Sequence, residues 1–192
     1  MIFSEAHLNL GSDDEMVKLI ADKIEEGALD PKVRKLAFEI VRRAKCPPKD
    51  WYCEIRAIYD WAKKNLRYFY DIRGVDTYHS ARAILFELKG GDCDDFAIAL
   101  GSLLSAIGYP IKLRIIAKKR NGRFIHIYPM VGIPPHGKVE RWIPLELTDH
   151  RIPFGKEFPH AKHRDYLVVF EPERFPKIIQ KLKTLDGCNC PF

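Results

Sequence analysis

The chain has 192 residues, 46% of them hydrophobic and 30% charged, with a formal net charge of +6. This composition is typical of a soluble globular domain that is long enough to bury a sizeable core. No apolar run approaches the ~20 residues of a membrane-spanning helix, and the first residues lack the basic and apolar regions of a secretory signal. We therefore expect no membrane partner and a cytoplasmic protein, or one associated with a virion or phage.

The basic residues are mixed with acidic ones along the whole chain, which favours solubility over nucleic-acid binding as the role of the positive charge. The densest basic cluster, residues 118–123, falls on a predicted turn, where a solvated hairpin tip is the simpler interpretation. We expect no nucleic-acid partner. One Gln and four Asn accompany many Glu, Lys and Arg residues, a composition typical of thermophilic proteins.

Helices are predicted at the start of the chain from their caps and their apolar spacing. Ser12 opens the first at a capping box, and Gly27 ends it. Asp30-Pro31 starts the second helix, which a proline pair at 47–48 breaks. The third runs from about residue 50 to residue 66.

The centre of the chain contains a loop and two further helices. Residues 68–77 form loop or short extended chain, and residues 81–88 form a helix. A Gly90-Gly91 turn then leads into a helix over residues 93–107, which is apolar on most sides and is therefore predicted to be buried. Gly108 ends this helix as a C-cap.

After Pro110 the hydrophobic period changes from that of a helix to that of a strand. Asn121-Gly122 indicates a two-residue hairpin. An order of helices first and a meander afterwards predicts an α+β fold, with N-terminal helices and a buried helix packed on an antiparallel β-meander. The predicted strands cover residues 111–119, 123–133, 139–147 and 166–170, and a short helix covers about 176–185.

Cys93 lies where the glycine turn becomes a helix. The unpaired N–H groups and positive end of a helix favour an anion, and a lowered thiol pKa makes a cysteine nucleophilic. Asp92 is the N-cap, while Asp94 and Asp95 lie in the first turn, where like-charge repulsion would raise the thiol pKa. A lone cysteine is more often a buried structural residue, so a catalytic role requires a base.

Strand pairing supplies that base and an orienting acid. If the second and third strands pair across residues 134–137, His126 faces residue 145 or 146, and Glu146 is the acid within the third apolar run. Across the other hairpin, His126 faces Ala117. A carboxylate beside a histidine fixes its tautomer and supports imidazolium. Cys93, His126 and Glu146 thus match the nucleophile, base and orienter of covalent catalysis; the alternative is a half-buried His–Glu surface pair.

The cysteine helix, the histidine strand and the strand that carries Glu146 follow one another in an order that resembles the transglutaminase-like superfamily. The resemblance is closest to its small prokaryotic, archaeal and phage-type members. The resemblance covers roughly residues 51–150. In chain order it includes the helix before the nucleophile (58–68), the nucleophile helix (91–110), the histidine strand (124–128) and the strand of the third catalytic residue (142–148).

The resemblance implies a papain-like Cys-His-Asp triad with Cys93 as nucleophile and His126 as base. The family usually has Asp at the third position, where this chain has Glu146, and Asp149 is the alternative third member. The implied chemistry is acyl transfer from an amide through a thioester. The Cys93 N–H and one further donor would hold the oxyanion. The candidates for that donor, or for a substrate contact, are Tyr68, Tyr78 and His79.

We therefore expect a cysteine-dependent amidase or peptidase, or an acyltransferase, that acts on a peptide or isopeptide amide without a metal or another cofactor. Hydrolysis is favoured because nothing marks a site for an amine acceptor. One alternative is a catalytically silent domain that binds a peptide or protein partner; another is a metal-dependent hydrolase using Asp92, Asp94 and His126. The predicted domains are an N-terminal helical extension (1–48), the catalytic core (49–170) and a C-terminal helix with a cysteine-containing tail (171–192).

The remaining cysteines allow three interpretations, of which we favour inert thiols. Cys46, Cys53, Cys188 and Cys190 have poor spacing for a zinc site. Disulfides that tie down the C-terminus are compatible with a thermophile-like composition. A Pro- and Lys-rich stretch, interpreted as a solvated loop rather than a metal site, holds the histidines at 150, 160 and 163.

Overall fold

The structure is a computed structural model that describes residues 4–7, 12–71 and 76–186. Its helices carry the caps that the sequence predicts. Ser12 Oγ accepts a hydrogen bond from the N–H of Glu15 at 3.3 Å, and Asp30 Oδ1 accepts one from the N–H of Lys32 at 2.8 Å. The helices are α1 (Asp13–Leu29), α2 (Pro31–Ala44), α3 (Trp51–Asn65), α4 (Cys93–Ala106) and α5 (Phe175–Asp186).

Helix α1 does not end at Gly27, as predicted, but continues to Leu29. Gly27 is a contact residue, because a Cβ at this position would overlap the Ser102 side chain of α4 and the side chain of Ala81. The glycine therefore allows α1 to lie close against α4. A glycine near the end of an apolar helical pattern predicts the end of the helix, but here Gly27 serves the close packing of two helices.

Two short pairs of strands bring distant segments to the start of α4. Strand β1 (Ser4–His7) pairs antiparallel with β3 (Asp76–His79), and β2 (Arg67–Tyr68) pairs in parallel with β4 (Gly90–Gly91). The predicted helix between β3 and β4 is a π-helix over Ala83–Leu88. The glycine turn is thus a bridging strand that leads directly into α4.

A four-stranded antiparallel sheet covers one side of α4. Its order is β7-β6-β5-β8, with β5 (Ile111–Ala117), β6 (His126–Ile133), β7 (Arg141–Pro144) and β8 (Lys162–Leu167). One face joins the helices in the main core, and the other holds a smaller cluster around Tyr128. The predicted α+β class, with helices packed on an antiparallel sheet, is confirmed.

The predicted register of the β5–β6 hairpin was wrong by one residue. His126 lies opposite Ile116 rather than Ala117. The two-residue hairpin at Asn121-Gly122 does not form, since residues 118–125 connect the strands as a longer loop. A tight turn would set basic side chains such as Arg120 and Arg123 opposite each other, which disfavours that pairing.

The predicted register of the β6–β7 hairpin was also wrong. Ile133 pairs with Arg141 rather than residue 138, and Met130 pairs with Pro144. Consecutive prolines in the connecting loop have no N–H to donate to a ladder, so the loop is wider than predicted. Strand β7 ends at Pro144, and Glu146 therefore lies beyond the regular pairing with β6.

Cys46 and Cys53 form a disulfide that joins the end of α2 to the first turn of α3. The prediction of inert thiols was wrong for this pair. The two alternatives, a zinc site and a disulfide to the C-terminus, also do not describe Cys46 and Cys53, because they are bonded to each other. Cys188 and Cys190 lie outside the described residues. Within the described ranges, Cys93 is the free cysteine.

Helices α1 and α2 share the main core with α3 and α4, through residues such as Ile24 and Val33. The predicted boundary between an extension (1–48) and a core stays a prediction. Over the residues that the structure covers, no helix combines the length and apolar character required to cross a bilayer.

Removal of the disulfide should lower the free energy of unfolding by roughly 2–3 kcal/mol, because a short loop in the unfolded chain is then no longer closed. Denaturant unfolding of the Cys46→Ser/Cys53→Ser double variant tests this. Cys93→Ser is the matched control. It keeps the disulfide, so a reducing agent should lower its free energy of unfolding as it does for the parent. Equal stability of parent and double variant would contradict the expectation.

Candidate active site

Helix α4 presents Cys93 at its first position. Asp92 Oδ1 accepts hydrogen bonds from the N–H groups of Asp94 at 3.0 Å and Asp95 at 3.4 Å, so Asp92 caps the helix. Gly91 allows this geometry because a Cβ there would overlap the Asp95 side chain. The cap fixes the half-buried Cys93 at the positive end of the helix.

The Cys93 thiol is held as a neutral group in this arrangement. Sγ donates to Asp94 Oδ1 at 3.5 Å. Burial raises the pKa of the Cys93 thiol well above its usual value, and the carboxyls of Asp94 and Asp92 raise it further, while the backbone N–H of Ile127 lowers it. The Ile127 N–H follows His126 directly, so the sulfur lies at the backbone that carries the predicted base.

The acids beside Cys93 also favour their protonated forms. Burial, then the neighbouring Asp92, raises the pKa of Asp94 well above its usual range. Burial, then Asp95 and Asp71, raises the pKa of Asp92 to about 6. The raised pKa of Asp94 favours its neutral form, which weakens the like-charge repulsion that its position alone would impose on a thiolate.

Within the described ranges, the group with metal-ligand spacing is Asp92, Cys93 and Asp94, whose donor atoms lie within 4.8 Å of one another. It does not include His126, which belonged to the metal-dependent alternative. Asp92 uses Oδ1 to cap the helix, and Asp94 Oδ1 accepts from the thiol. These three residues could hold a cation, but one oxygen of each acid already has a partner within the chain.

His126 begins β6 and contacts Glu146. His126 Nε2 and Glu146 Oε2 are 2.6 Å apart, and Glu146 Oε1 accepts from the N–H and the hydroxyl of Thr148 at 2.7 and 2.6 Å. The Tyr59 hydroxyl donates to the Glu146 backbone carbonyl at 2.7 Å. Burial raises the pKa of Glu146, but the hydrogen bonds from His126 and Thr148 outweigh it, and the net pKa is below its usual value. Glu146 is thus an anion that supports imidazolium.

Glu146 reaches His126 although the predicted register was wrong. Extension of the observed β6–β7 ladder would set His126 opposite Thr148, with Glu146 two residues before it and on the same face. The chain leaves the strand after Pro144, and the extra methylene of Glu bridges the diagonal distance. The role of Thr148 was not predicted from the sequence. The available signal was its position two residues after Glu146, a spacing at which a side-chain oxygen can accept from a backbone N–H.

Among the hydrogen bonds of the described residues, none joins the Cys93 sulfur to the His126 ring. His126 Nε2 is engaged with Glu146, and Nδ1 is the nitrogen that remains for the thiol. The sulfur instead contacts Asp94 and the N–H of Ile127. Proton transfer from Cys93 to His126 therefore requires the thiol to turn away from Asp94.

The three predicted oxyanion or substrate residues lie at the same end of α4 in different environments. Burial raises the pKa of the Tyr68 and Tyr78 hydroxyls, and nearby acids and Cys93 raise both further. Tyr68 pairs with Gly91, two residues before Cys93. Tyr78 is buried, whereas Tyr68 is 37% exposed. The buried His79 instead directs Nδ1 at both carboxylate oxygens of Asp95, at 3.1 and 3.0 Å.

Asp149, the alternative third member, contacts Arg151 instead of His126. Arg151 Nη2 lies 2.6 Å from Asp149 Oδ2, and Nε lies 2.9 Å from Oδ1. These hydrogen bonds lower the pKa of Asp149 to about 2. The carboxylate that touches the histidine is that of Glu146.

A cleft of about 490 Å³ opens beside these residues. The cleft is lined by Tyr68, Tyr70, Thr148, Asp149, His150, Arg151 and Phe158.

The His79–Asp95 pair should make stability depend on pH. Asp95 raises the pKa of His79 above its unfolded value near 6.5, so the pair stabilises the fold fully below about pH 6.5, and this stabilisation is lost as pH rises through the folded pKa. His79→Asn should cost roughly 3–5 kcal/mol at low pH, because Asp95 loses its partner, and less at high pH. Denaturant unfolding of parent and variant from pH 5 to 9 tests this, and a pH-independent difference would contradict it.

Comparison with family models matches residues 34–147 to the transglutaminase-like superfamily. No curated protein matches the chain. Among solved structures, a "putative cysteine protease" from Cytophaga hutchinsonii aligns with a TM-score of 0.45 and 23% identity, over 72% of this chain and 44% of that one. This chain thus spans less than half the length of that protein. The family match covers more than half of the present chain and includes Cys93, His126 and Glu146. The chain belongs to the transglutaminase-like superfamily.

Proposed function

We propose that this protein is a cysteine-dependent hydrolase of peptide or isopeptide amides, with Cys93 as nucleophile, His126 as base and Glu146 as the residue that orients the base. The observation that carries the proposal is the 2.6 Å contact between His126 Nε2 and a buried, ionised Glu146. Such a contact leaves Nδ1 to accept a proton and stabilises the imidazolium that results.

The first step activates the nucleophile. The Cys93 thiol turns from Asp94 and transfers its proton to His126 Nδ1, which forms a thiolate and an imidazolium. The helix N-terminus and the Ile127 N–H stabilise the thiolate, and Glu146 stabilises the imidazolium. These interactions must outweigh the burial that keeps the resting thiol neutral.

The thiolate then attacks the carbonyl carbon of the amide. A C–S bond forms, and the negative charge moves to the carbonyl oxygen, where the Cys93 N–H and the hydroxyl of Tyr68 or Tyr78 are the candidate donors. His126 returns its proton to the leaving amine as the C–N bond breaks, which leaves a thioester. Water attacks the thioester with His126 as base, and the acid and the free thiol are released.

A catalytically silent domain that binds a peptide is the second candidate. The contact of the Cys93 thiol with Asp94, in place of His126, favours it, as does the raised pKa of that thiol. The two candidates differ in whether His126 increases the reactivity of Cys93.

Alkylation with iodoacetamide across pH separates the two functions. If His126 activates Cys93, Cys93 should label well below pH 8 and faster than Cys188 and Cys190, since Cys46 and Cys53 are held in the disulfide. His126→Ala should slow the labelling of Cys93 by 10²-fold or more. His136→Ala is the matched control and should leave the rate unchanged, because His136 is an exposed histidine between β6 and β7 that does not line the cleft. Equal labelling of Cys93, Cys188 and Cys190, or no effect of His126→Ala, would support the silent domain.

Thr148 should act as a positioning residue for Glu146. Thr148→Val keeps the side-chain shape but removes the hydroxyl that donates to Oε1, so Glu146 supports the imidazolium less well. We expect Cys93 to label roughly tenfold more slowly at pH 7, with the midpoint of the pH–rate curve moved to higher pH. Thr148→Ser keeps the donor and should retain the parent's profile. A slower rate with an unmoved midpoint would indicate a merely structural role.

A further inference from the structure

The cleft is lined by a neighbour of each of the three proposed catalytic residues. Tyr68, which lines the cleft, pairs with Gly91, two residues before Cys93. Phe158, which also lines the cleft, has its ring centroid 5.7 Å from that of His126. The third contact is made by Thr148, which lines the cleft and donates to Glu146. A molecule in this cleft is therefore held beside the reacting groups.

The cleft wall is aromatic, and part of it is exposed to solvent. Tyr70 is 82% exposed and Tyr68 is 37% exposed. The rings of Tyr68 and Tyr70 meet edge to face with centroids 5.1 Å apart. Exposed aromatic side chains grouped beside a cleft are typical of ligand contacts, since they bury much apolar area at little entropic cost.

The wall that carries Phe158 is held in place by the preceding residue. Glu157 Oε2 accepts from Arg114 Nη1 at 2.7 Å and from the Tyr128 hydroxyl at 2.8 Å. Phe158 also packs on the small apolar cluster of the outer sheet face. This side of the cleft is therefore formed before a ligand binds, which reduces the ordering cost of binding.

The charged residues of the cleft largely neutralise each other. Arg151 binds Asp149 through two nitrogens, at 2.6 and 2.9 Å. The guanidinium thus has a carboxylate partner within the chain, and an acidic ligand would have to compete with it. The cleft volume of about 490 Å³ suits one or two amino-acid residues and lies within the range of small-ligand sites, roughly 300–1,000 Å³.

We propose that this cleft selects substrates in which the residue next to the reacting amide carries a large apolar side chain, aromatic above all. The side chain inserts between Tyr70 and Phe158. Selection of substrates in this sense rests on the proposed function. The binding preference of the cleft is measured separately from catalysis.

The test uses four chloroacetyl amino-acid amides, which alkylate thiols and differ in side chain: phenylalanine, alanine, aspartate and lysine. The rate for each at Cys93 is divided by the iodoacetamide rate, so that intrinsic thiol reactivity cancels. We expect the phenylalanine probe to be at least tenfold faster than the other three. Tyr70→Ala should remove most of this preference, when each probe rate is divided by the iodoacetamide rate of the same variant.

Phe38→Ala is the matched control, because Phe38 is a 55% exposed aromatic residue on α2 and does not line the cleft. Similar rates for the four probes would overturn the proposal, as would a preference that survives Tyr70→Ala. Slow iodoacetamide labelling that is unaffected by His126→Ala overturns the proposed function alone, because the probe ratio is still measurable. Saturation-transfer NMR with N-acetylphenylalaninamide and N-acetylalaninamide should show the same preference without any reaction at Cys93.

Discussion

The buried carboxylate of Glu146 is the interaction on which the site depends. An ionised carboxylate is costly to bury unless its oxygens are hydrogen-bonded, and Glu146 is 1% exposed. One oxygen contacts His126, and the other accepts two hydrogen bonds from Thr148. The turn after β7 supplies those donors, and the Tyr59 hydroxyl of α3 donates to its backbone. A side chain of the helical layer thus helps to fix the turn that carries Glu146.

The acids at this end of the molecule have pKa values that are shifted in opposite directions. Hydrogen bonds lower the pKa of Glu146, whereas burial and repulsion from neighbouring acids raise the pKa of Asp92, to about 6, and that of Asp94. Groups whose surroundings push their pKa values apart can divide the tasks of a reaction between them. In the proposed mechanism the Glu146 anion supports the base, and the raised pKa of Asp94 weakens the like-charge repulsion that opposes the thiolate.

Local features of the site could be predicted from the sequence, while distances between strands could not. The helix start at Cys93 follows from its glycines and the Asp92 cap, and side-chain alternation was enough to match His126 with Glu146. Both hairpin registers were wrong because register depends on loop length, which like-charged residues and prolines had increased. Thr148 was missed because its role depends on where the chain leaves the strand.

The disulfide was missed for a different reason. The spacing of Cys46 and Cys53 resembles no familiar motif, and their proximity arises only when α2 and α3 pack as neighbours. Gly27 shows the same limit, because its closeness to Ser102 is a property of two packed helices.

The disulfide between Cys46 and Cys53 has a consequence for the thiol that stays free. Surroundings that keep this pair oxidised also threaten Cys93, since thiolates react with oxidants far faster than thiols do. Cys93 is half-buried, its pKa is raised, and its proton lies toward Asp94. In the proposed mechanism, the Cys93 thiol thus resists oxidation while it is idle and becomes vulnerable only when His126 takes its proton.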